Sequence, residues 1–230
     1  MKALDSRLQA AADFVTDGGK ILDIGTDHGY LPIWLVKNGR SREAIAADVN
    51  SKPLESAAEN IRAEGLQEKI QTCLTDGMDG IDLGDVSDIV IAGMGGMLIA
   101  EILERHLPLA GKNLILQPMT QAPFLRKWLC ENGFEIAAET PAEAGGKLYA
   151  VLCARYDGQE HPCDLYFSHV GKMTDAMQIP EKSEWARKYL EHLQKKLQVI
   201  YFGMSQGGQK TDPVVEDYRE LIERLKEVLS

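Results

Sequence analysis

No run of apolar residues in this 230-residue chain approaches the ~20 that a bilayer-crossing helix needs. The opening stretch MKALDSRLQAAADFV carries charges throughout and lacks the apolar core of a secretion signal. Cysteines are few: Cys73, Cys130, Cys153 and Cys163 form no CxxC pair, which predicts reduced thiols rather than a disulfide framework. Together these absences predict a cytoplasmic protein with no membrane partner. His161 and Cys163 alone are too few to hold a metal, so no metal is expected. Positive charge is also scarce. Against 35 Asp and Glu there are 25 Lys and Arg, a net charge of −10, which weighs against a nucleic-acid partner unless basic residues cluster locally.

What is present is a globular composition, 44% hydrophobic and 26% charged. Short, continuously apolar runs recur through the first two thirds of the chain: KILDIG (20–25), EAIAAD (43–48), KIQTCL (69–74), SDIVIA (87–92) and NLILQ (113–117). They read as strands buried on both faces. Helix-like segments lie between them, namely LPIWLVKNG, PLESAAENIRAEG, MLIAEILERHL and PFLRKWLCENG. FEIAAET and KLYAVLCARY follow, with Gly145 and Gly146 between them as a hairpin turn. The pattern predicts a Rossmann-like α/β fold, a mostly parallel seven-stranded sheet that ends in an antiparallel pair.

After Tyr156 the strand signals stop. DGQEHP (157–162) reads as a linker, dividing the chain into residues 1–157 and a helical tail, 158–230. Leu190, Leu193, Leu197, Ile200 and Met204 keep a 3,4 spacing, as do Val214, Tyr218, Leu221, Leu225 and Val228. Asp212 and Pro213 suit a helix start after the turn SQGGQKTDP, and a short helical segment is expected near Leu165–Met177. The tail is therefore expected to be a coiled-coil-like helical hairpin.

In such sheets ligands bind at the carboxyl ends of the strands. The first strand runs into Asp23-Ile24-Gly25-Thr26-Asp27-His28-Gly29, the third into Asp76-Gly77, the fourth into Gly93-Met94-Gly95-Gly96, and the fifth ends Gln117-Pro118-Met119. Asp48, at the end of the second strand, is spaced to accept ribose hydroxyl protons, and Asp76 to accept from an adenine amine. A dinucleotide fits poorly. Asp27 replaces the glycine that would cradle pyrophosphate, and a carboxylate there repels it. Leu98 likewise stands where GMGGML would need its last glycine. A sulfonium cofactor reverses the argument, because S-adenosyl-L-methionine carries cationic groups and no phosphate.

DIGTDHGYLP, the Asp48 strand end, LTDG, IAGMGG and ILQPM together resemble the bacterial tRNA (adenine-N1)-methyltransferases that act on adenine 22. The resemblance extends into the tail, with one departure at YFSHVGKM (166–173), where similar proteins tend to carry a Phe-Gly-Pro turn. It implies a class I fold with S-adenosyl-L-methionine as cofactor and tRNA as substrate. Cofactor contacts are expected from Asp23, Gly25, Gly29, Asp48, Asn50, Asp76, Gly77 and Gly93. Asp27 is the candidate catalytic carboxylate, with a loop-capping role as its alternative, and His28 would orient it or touch the base. Gly95, Gly96, Gln117, Pro118 and Met119 are expected to frame the base.

Other nucleic-acid methyltransferase chemistries are disfavoured. GMGG replaces the Asp/Asn-Pro-Pro-aromatic turn used on exocyclic amines, and the only Pro-Cys, Pro162-Cys163, falls in the linker. Tyr149 and the three tryptophans read as packing residues. A basic track is expected from Arg126-Lys127 to Arg187-Lys188, Lys195-Lys196 and Lys210, with Lys195 and Lys196 gripping tRNA. A dimer interface is the tail's alternative role. The competing readings are a small-molecule or protein methyltransferase of the same fold, and a non-catalytic RNA-binding protein.

Overall fold

A computed structural model of the protein describes residues 3–206 and 212–230. Among these residues, strands β1 (Gly19–Ile24), β2 (Ser41–Asp48), β3 (Ile70–Leu74), β4 (Asp88–Gly95), β5 (Asn113–Thr120), β6 (Phe134–Ala144) and β7 (Lys147–Tyr156) make one sheet. The strand order is β3-β2-β1-β4-β5-β7-β6. β1 to β5 are mutually parallel, whereas β7 pairs antiparallel with both β5 and β6. Gly145 and Gly146 both take positive φ in the β6–β7 turn, as a tight hairpin demands. The expected fold class is therefore the one observed.

Continuous apolar runs form strands here because consecutive residues feed two different cores. Leu22, Ile89, Ile91, Leu114 and Leu116 point to one face, while Ile21, Val90 and Ile115 point to the other. Helices α2 (Tyr30–Lys37) and α3 (Ser51–Ala63) supply residues to the second face, and α4 (Gly96–Glu104) and α5 (Ala122–Glu131) to the first. One helix was not anticipated. α1 (Ser6–Phe14) is capped by Asp5, whose carboxylate accepts from the Arg7 and Leu8 amides, and it packs its alanines under β5, β6 and β7.

The tail comprises α6 (Leu165–Val170), α7 (Met173–Ala176), α8 (Pro180–Gln206) and α9 (Pro213–Leu229). Asp212 caps α9 through the Val214 amide at 2.9 Å, with Pro213 at its first position, and α8 and α9 pack on each other. The turn expected to join them falls largely on residues 207–211, outside the described residues, and Lys210 lies there with it. The seam of the hairpin is narrower than the spacing predicted. Leu190, Leu197, Leu221 and Leu225 are buried, but Val214 and Val228 are exposed, and Val215 and Ile222 are buried in addition. DGQEHP is no free tether either: the Asp157 and Gly158 amides donate to the Gly133 carbonyl, and the His161 amide to that of Cys130.

Arg126 corrects the expected basic track. It is fully buried, with Nε and Nη2 donating to Glu139 at 2.9 and 2.7 Å and Nη1 donating to the Ser168 and His169 carbonyls. Burial opposes its charge, but the Glu139 carboxylate more than offsets this and raises its pKa. Gly171 follows α6 with φ +58°, and a Cβ there would overlap Glu139 Oε1 and Arg126 Nε. The side chain that looked available to RNA instead bolts the tail to the sheet.

Arg126→Leu should therefore destabilise the protein by about 3–5 kcal/mol, because Glu139 would keep a buried charge without its partner. Lys127→Ala, which breaks only an exposed pair with Glu131, should change stability by no more than about 1 kcal/mol. Urea denaturation of the two variants checks the contrast.

Candidate active site

The sheet reverses its winding between β1 and β4, and the loops above that point enclose a cavity of about 470 Å³. Asp5, Arg7, Asp23, Asp27, Tyr30 and Gly93 all line it. The loop after β1 is held by backbone: the Gly25 and Thr26 amides both donate to the Ala47 carbonyl at the end of β2. Gly25 takes φ +74°, a left-handed conformation that favours glycine, and a Cβ there would displace the Met94 methyl. Gly29, also left-handed, starts α2.

Asp23 is buried at the floor of the cavity. Burial pushes its carboxyl up to about 6, and the nearby charge of Asp48 adds to the rise. Among the described residues no basic side chain pairs with it. A buried acid in this state fits a cationic ligand, which S-adenosyl-L-methionine is and a dinucleotide is not. Asp48 is half-buried, and its Oδ1 accepts from the Asn50 amide (2.7 Å) and from Asn50 Nδ2 (3.1 Å). Asn50 thereby orients the carboxylate, and the exposed Val49 stands beside it.

Asp76 is engaged more heavily than its spacing implied. Arg105 grips it with two hydrogen bonds of 3.0 Å, and these hold its carboxyl below the usual range. Each oxygen keeps a second lone pair for an amine. Gly77 lies under the same guanidinium, where a Cβ would stand 3.1 Å from Arg105 Nη2.

The β4 turn divides its glycines. A Cβ on Gly93 would meet nothing within 4 Å, so this backbone faces open space at the cavity, whereas one on Gly96 would stand 2.6 Å from the Gln121 carbonyl. Gly96 thus serves the packing of α4 against the β5–α5 loop, and Gly95 lies 3.4 Å from Thr120 Oγ1 by the same measure. Gln117 is fully buried, accepting from the Gly93 amide at 3.1 Å and donating to the Pro118 carbonyl. Its amide organises the two strand ends, while Pro118 is buried and Met119 is exposed.

Asp27 is 82% exposed at the mouth, with His28 Nε2 3.2 Å from its Oδ1. His28 takes φ +58°, its carbonyl accepts from Asn60 Nδ2, and its ring stacks on Tyr30 at 5.3 Å. Lys195 and Lys196 lie apart from this cavity on exposed positions of α8. Sequence reading missed Arg7, which donates to Asp5 at 2.6 Å and reaches Met119 Sδ at 3.3 Å, and it missed Arg105. The signal for Arg7 was present in Asp5-Ser6 followed by an alanine-rich amphipathic stretch. Among the described residues no His, Cys, Asp and Glu cluster could hold a metal ion.

A parallel sheet in this order, closing with a reversed β7 over an acid-lined cavity at its switch point, defines a class I methyltransferase, and a methyltransferase-domain family model matches residues 4–152. The chain is 35% identical to the tRNA (adenine(22)-N(1))-methyltransferase of Bacillus subtilis (strain 168), over 98% of its own length and 97% of that protein. It belongs to that family. Sp1610 of Streptococcus pneumoniae, solved in complex with S-adenosyl-L-methionine, superposes with a TM-score of 0.81 at 36% identity, covering 99% of this chain and all of that one. TrmK of M. capricolum, solved with S-adenosyl-homocysteine, gives 0.75 at 26% identity over 99% of this chain and 96% of its own.

The buried acid has a signature in pH. Its folded pKa of about 6 lies above the ordinary 3.8, so ionisation opposes folding, fully so above pH 6 and not at all below pH 4. Asp23→Asn should accordingly gain about 3 kcal/mol of stability at pH 8, with the gain shrinking between pH 6 and 4. Thermal or urea denaturation of both proteins across that range measures it.

Proposed function

We propose that this protein methylates N1 of adenine 22 in tRNA, with S-adenosyl-L-methionine as the methyl donor. The observation that carries the reading is chain-long identity with the B. subtilis enzyme, tail included, together with an acid-lined cavity at the switch point. The cofactor, when bound, supplies an electrophilic methyl carbon on a sulfonium. Asp23 offers negative charge to its cationic end, Asp48 accepts from the ribose hydroxyls with Asn50 fixing its rotamer, and Asp76, steadied by Arg105, faces the adenine amine. Gly93 gives the reacting groups room against the backbone.

Adenine N1 carries an in-plane lone pair, so the chain needs no general base. The methylated ring is a cation, and a carboxylate at the mouth favours the transition state that leads to it. Asp27 takes that role, held by His28. Residues 1–157 perform the chemistry and 158–230 hold the RNA at a distance. Of the tail's basic residues, Arg187 donates to the Leu229 carbonyl and Lys188 pairs with Glu184 over Trp185. Among the described residues Lys195 and Lys196 make no ion pair, which leaves them for phosphate. A tRNA substrate and four free cysteines fit a cytoplasmic location. No helix among the described residues is long and apolar enough to cross a membrane.

Incubation with labelled S-adenosyl-L-methionine and unmodified tRNA, followed by nucleoside mapping, should place 1-methyladenosine at position 22. Label in protein or small molecules but never in tRNA would reject the reading. Asp27→Ala should lower the single-turnover rate about 100-fold while cofactor and tRNA affinities hold. A rate within a few-fold of wild type would reduce Asp27 to a loop residue. Replacing Lys195 and Lys196 together with Gln should weaken tRNA binding and lower the slope of log Kd against log salt by about 1–2.

A further inference from the structure

A second cavity, of about 410 Å³, opens between the end of β5, β7 and the tail helices. Its polar features converge. His169 Nδ1 lies 3.0 Å from the Leu165 carbonyl and 3.1 Å from Ser168 Oγ, and the tautomer with its proton on Nδ1 satisfies the carbonyl, which can only accept. Burial pushes the imidazole pKa down, the Leu165 hydrogen bond opposes this, and the charges of Arg126 and Lys196 add to the lowering. In the neutral ring of that tautomer Nε2 is a lone-pair acceptor. Tyr218 and His169 form a T-shaped pair with ring centroids 5.7 Å apart, and Tyr149 and the exposed Lys196 also line the cavity.

This cavity is linked to the first through wall residues shared with a third hollow. Asp5 and Arg7 line both the catalytic cavity and a shallow hollow beside it. Met119 and Tyr149 line both that hollow and the second cavity. The three hollows thus adjoin in series from the loop after β1 to the tail helices.

We propose that the second cavity receives one unpaired nucleobase of the tRNA other than the target adenine, stacked against Tyr218 and accepted at His169 Nε2, with Lys196 on the adjoining phosphate. The proposal rests on the tRNA reading above. Tyrosine rings, a neutral imidazole and an exposed lysine lining one cavity match a base with its phosphate, and unstacked bases are what proteins read in RNA. Holding a neighbouring base out of its stack also helps offset the opening that N1, on the Watson–Crick edge, requires.

The test uses the full chain and fluorescent tRNA transcripts, each with a single abasic position. Wild type should lose about tenfold in affinity at one position other than 22. Tyr218→Leu should bind intact tRNA about tenfold more weakly, and the penalty at that abasic position should vanish in it. His169→Asn keeps a donor for the Leu165 carbonyl but removes Nε2. It should raise Kd several-fold and give the same abasic pattern, which covers the case of a Tyr218 variant that fails to fold. Unchanged cofactor binding by calorimetry certifies both variants. If they bind intact tRNA as wild type does, or the abasic penalty persists in them, the cavity holds no base. That result would leave the methyltransferase activity of the wild type standing. A wild type that transfers no methyl to tRNA sinks the activity and this proposal together.

Discussion

The ion pair of Arg126 and Glu139 joins three parts of the chain that sequence keeps apart. Arg126 comes from α5, Glu139 from β6, and the carbonyls and amide that complete the network come from Ser168, His169 and Lys172 in the tail. Removing two charges from water costs as much as their attraction returns, so the pair is not a large net stabiliser. What it supplies is geometry. A buried guanidinium has five donors to satisfy, and only one placement of the α6–α7 turn, with glycine at 171, brings carbonyls to them. The second cavity lies between that turn and β5, so its shape depends on this arrangement.

The catalytic cavity uses charge in the opposite way. Asp23 is buried without a basic partner, and in the bare protein that is unfavourable. Such an uncompensated acid is a mark of functional sites, and its charge suits a cationic ligand. Asp48 and Asp76, by contrast, are steadied by Asn50 and Arg105, which fix carboxylate orientation without filling every lone pair. The same acidity that suits a sulfonium cofactor repels an RNA backbone.

Much of this was legible in the chain. Four of the five apolar runs are central parallel strands. The third, β3, lies at the sheet edge with only Ile70 buried, contrary to the expectation of burial on both faces. An acid lies at or near the end of each of the first three. Asp27 in the glycine loop excluded a pyrophosphate by charge alone. Asp212-Pro213 announced the last helix. Gly145-Gly146 announced the hairpin. These signals are local, and local chemistry decides them.

Other features depended on contacts between distant positions. Arg126 reads as a surface residue because its partners are 13 and 42 or more positions away. Gly96 reads as room for a base until the Gln121 carbonyl is found behind it, and Gln117 as a base contact until the Gly93 amide claims it. Arg7 joins the site only because α1 packs beside β5 and β7, and Tyr149 and Tyr218 share a cavity only because the tail folds back. Periodicity and charge thus determined the strands and the cofactor class, and the resemblance of the loop motifs pointed to the family. Which polar side chains remain free to meet a ligand was decided by tertiary structure, because that depends on which buried donors and acceptors have already been satisfied.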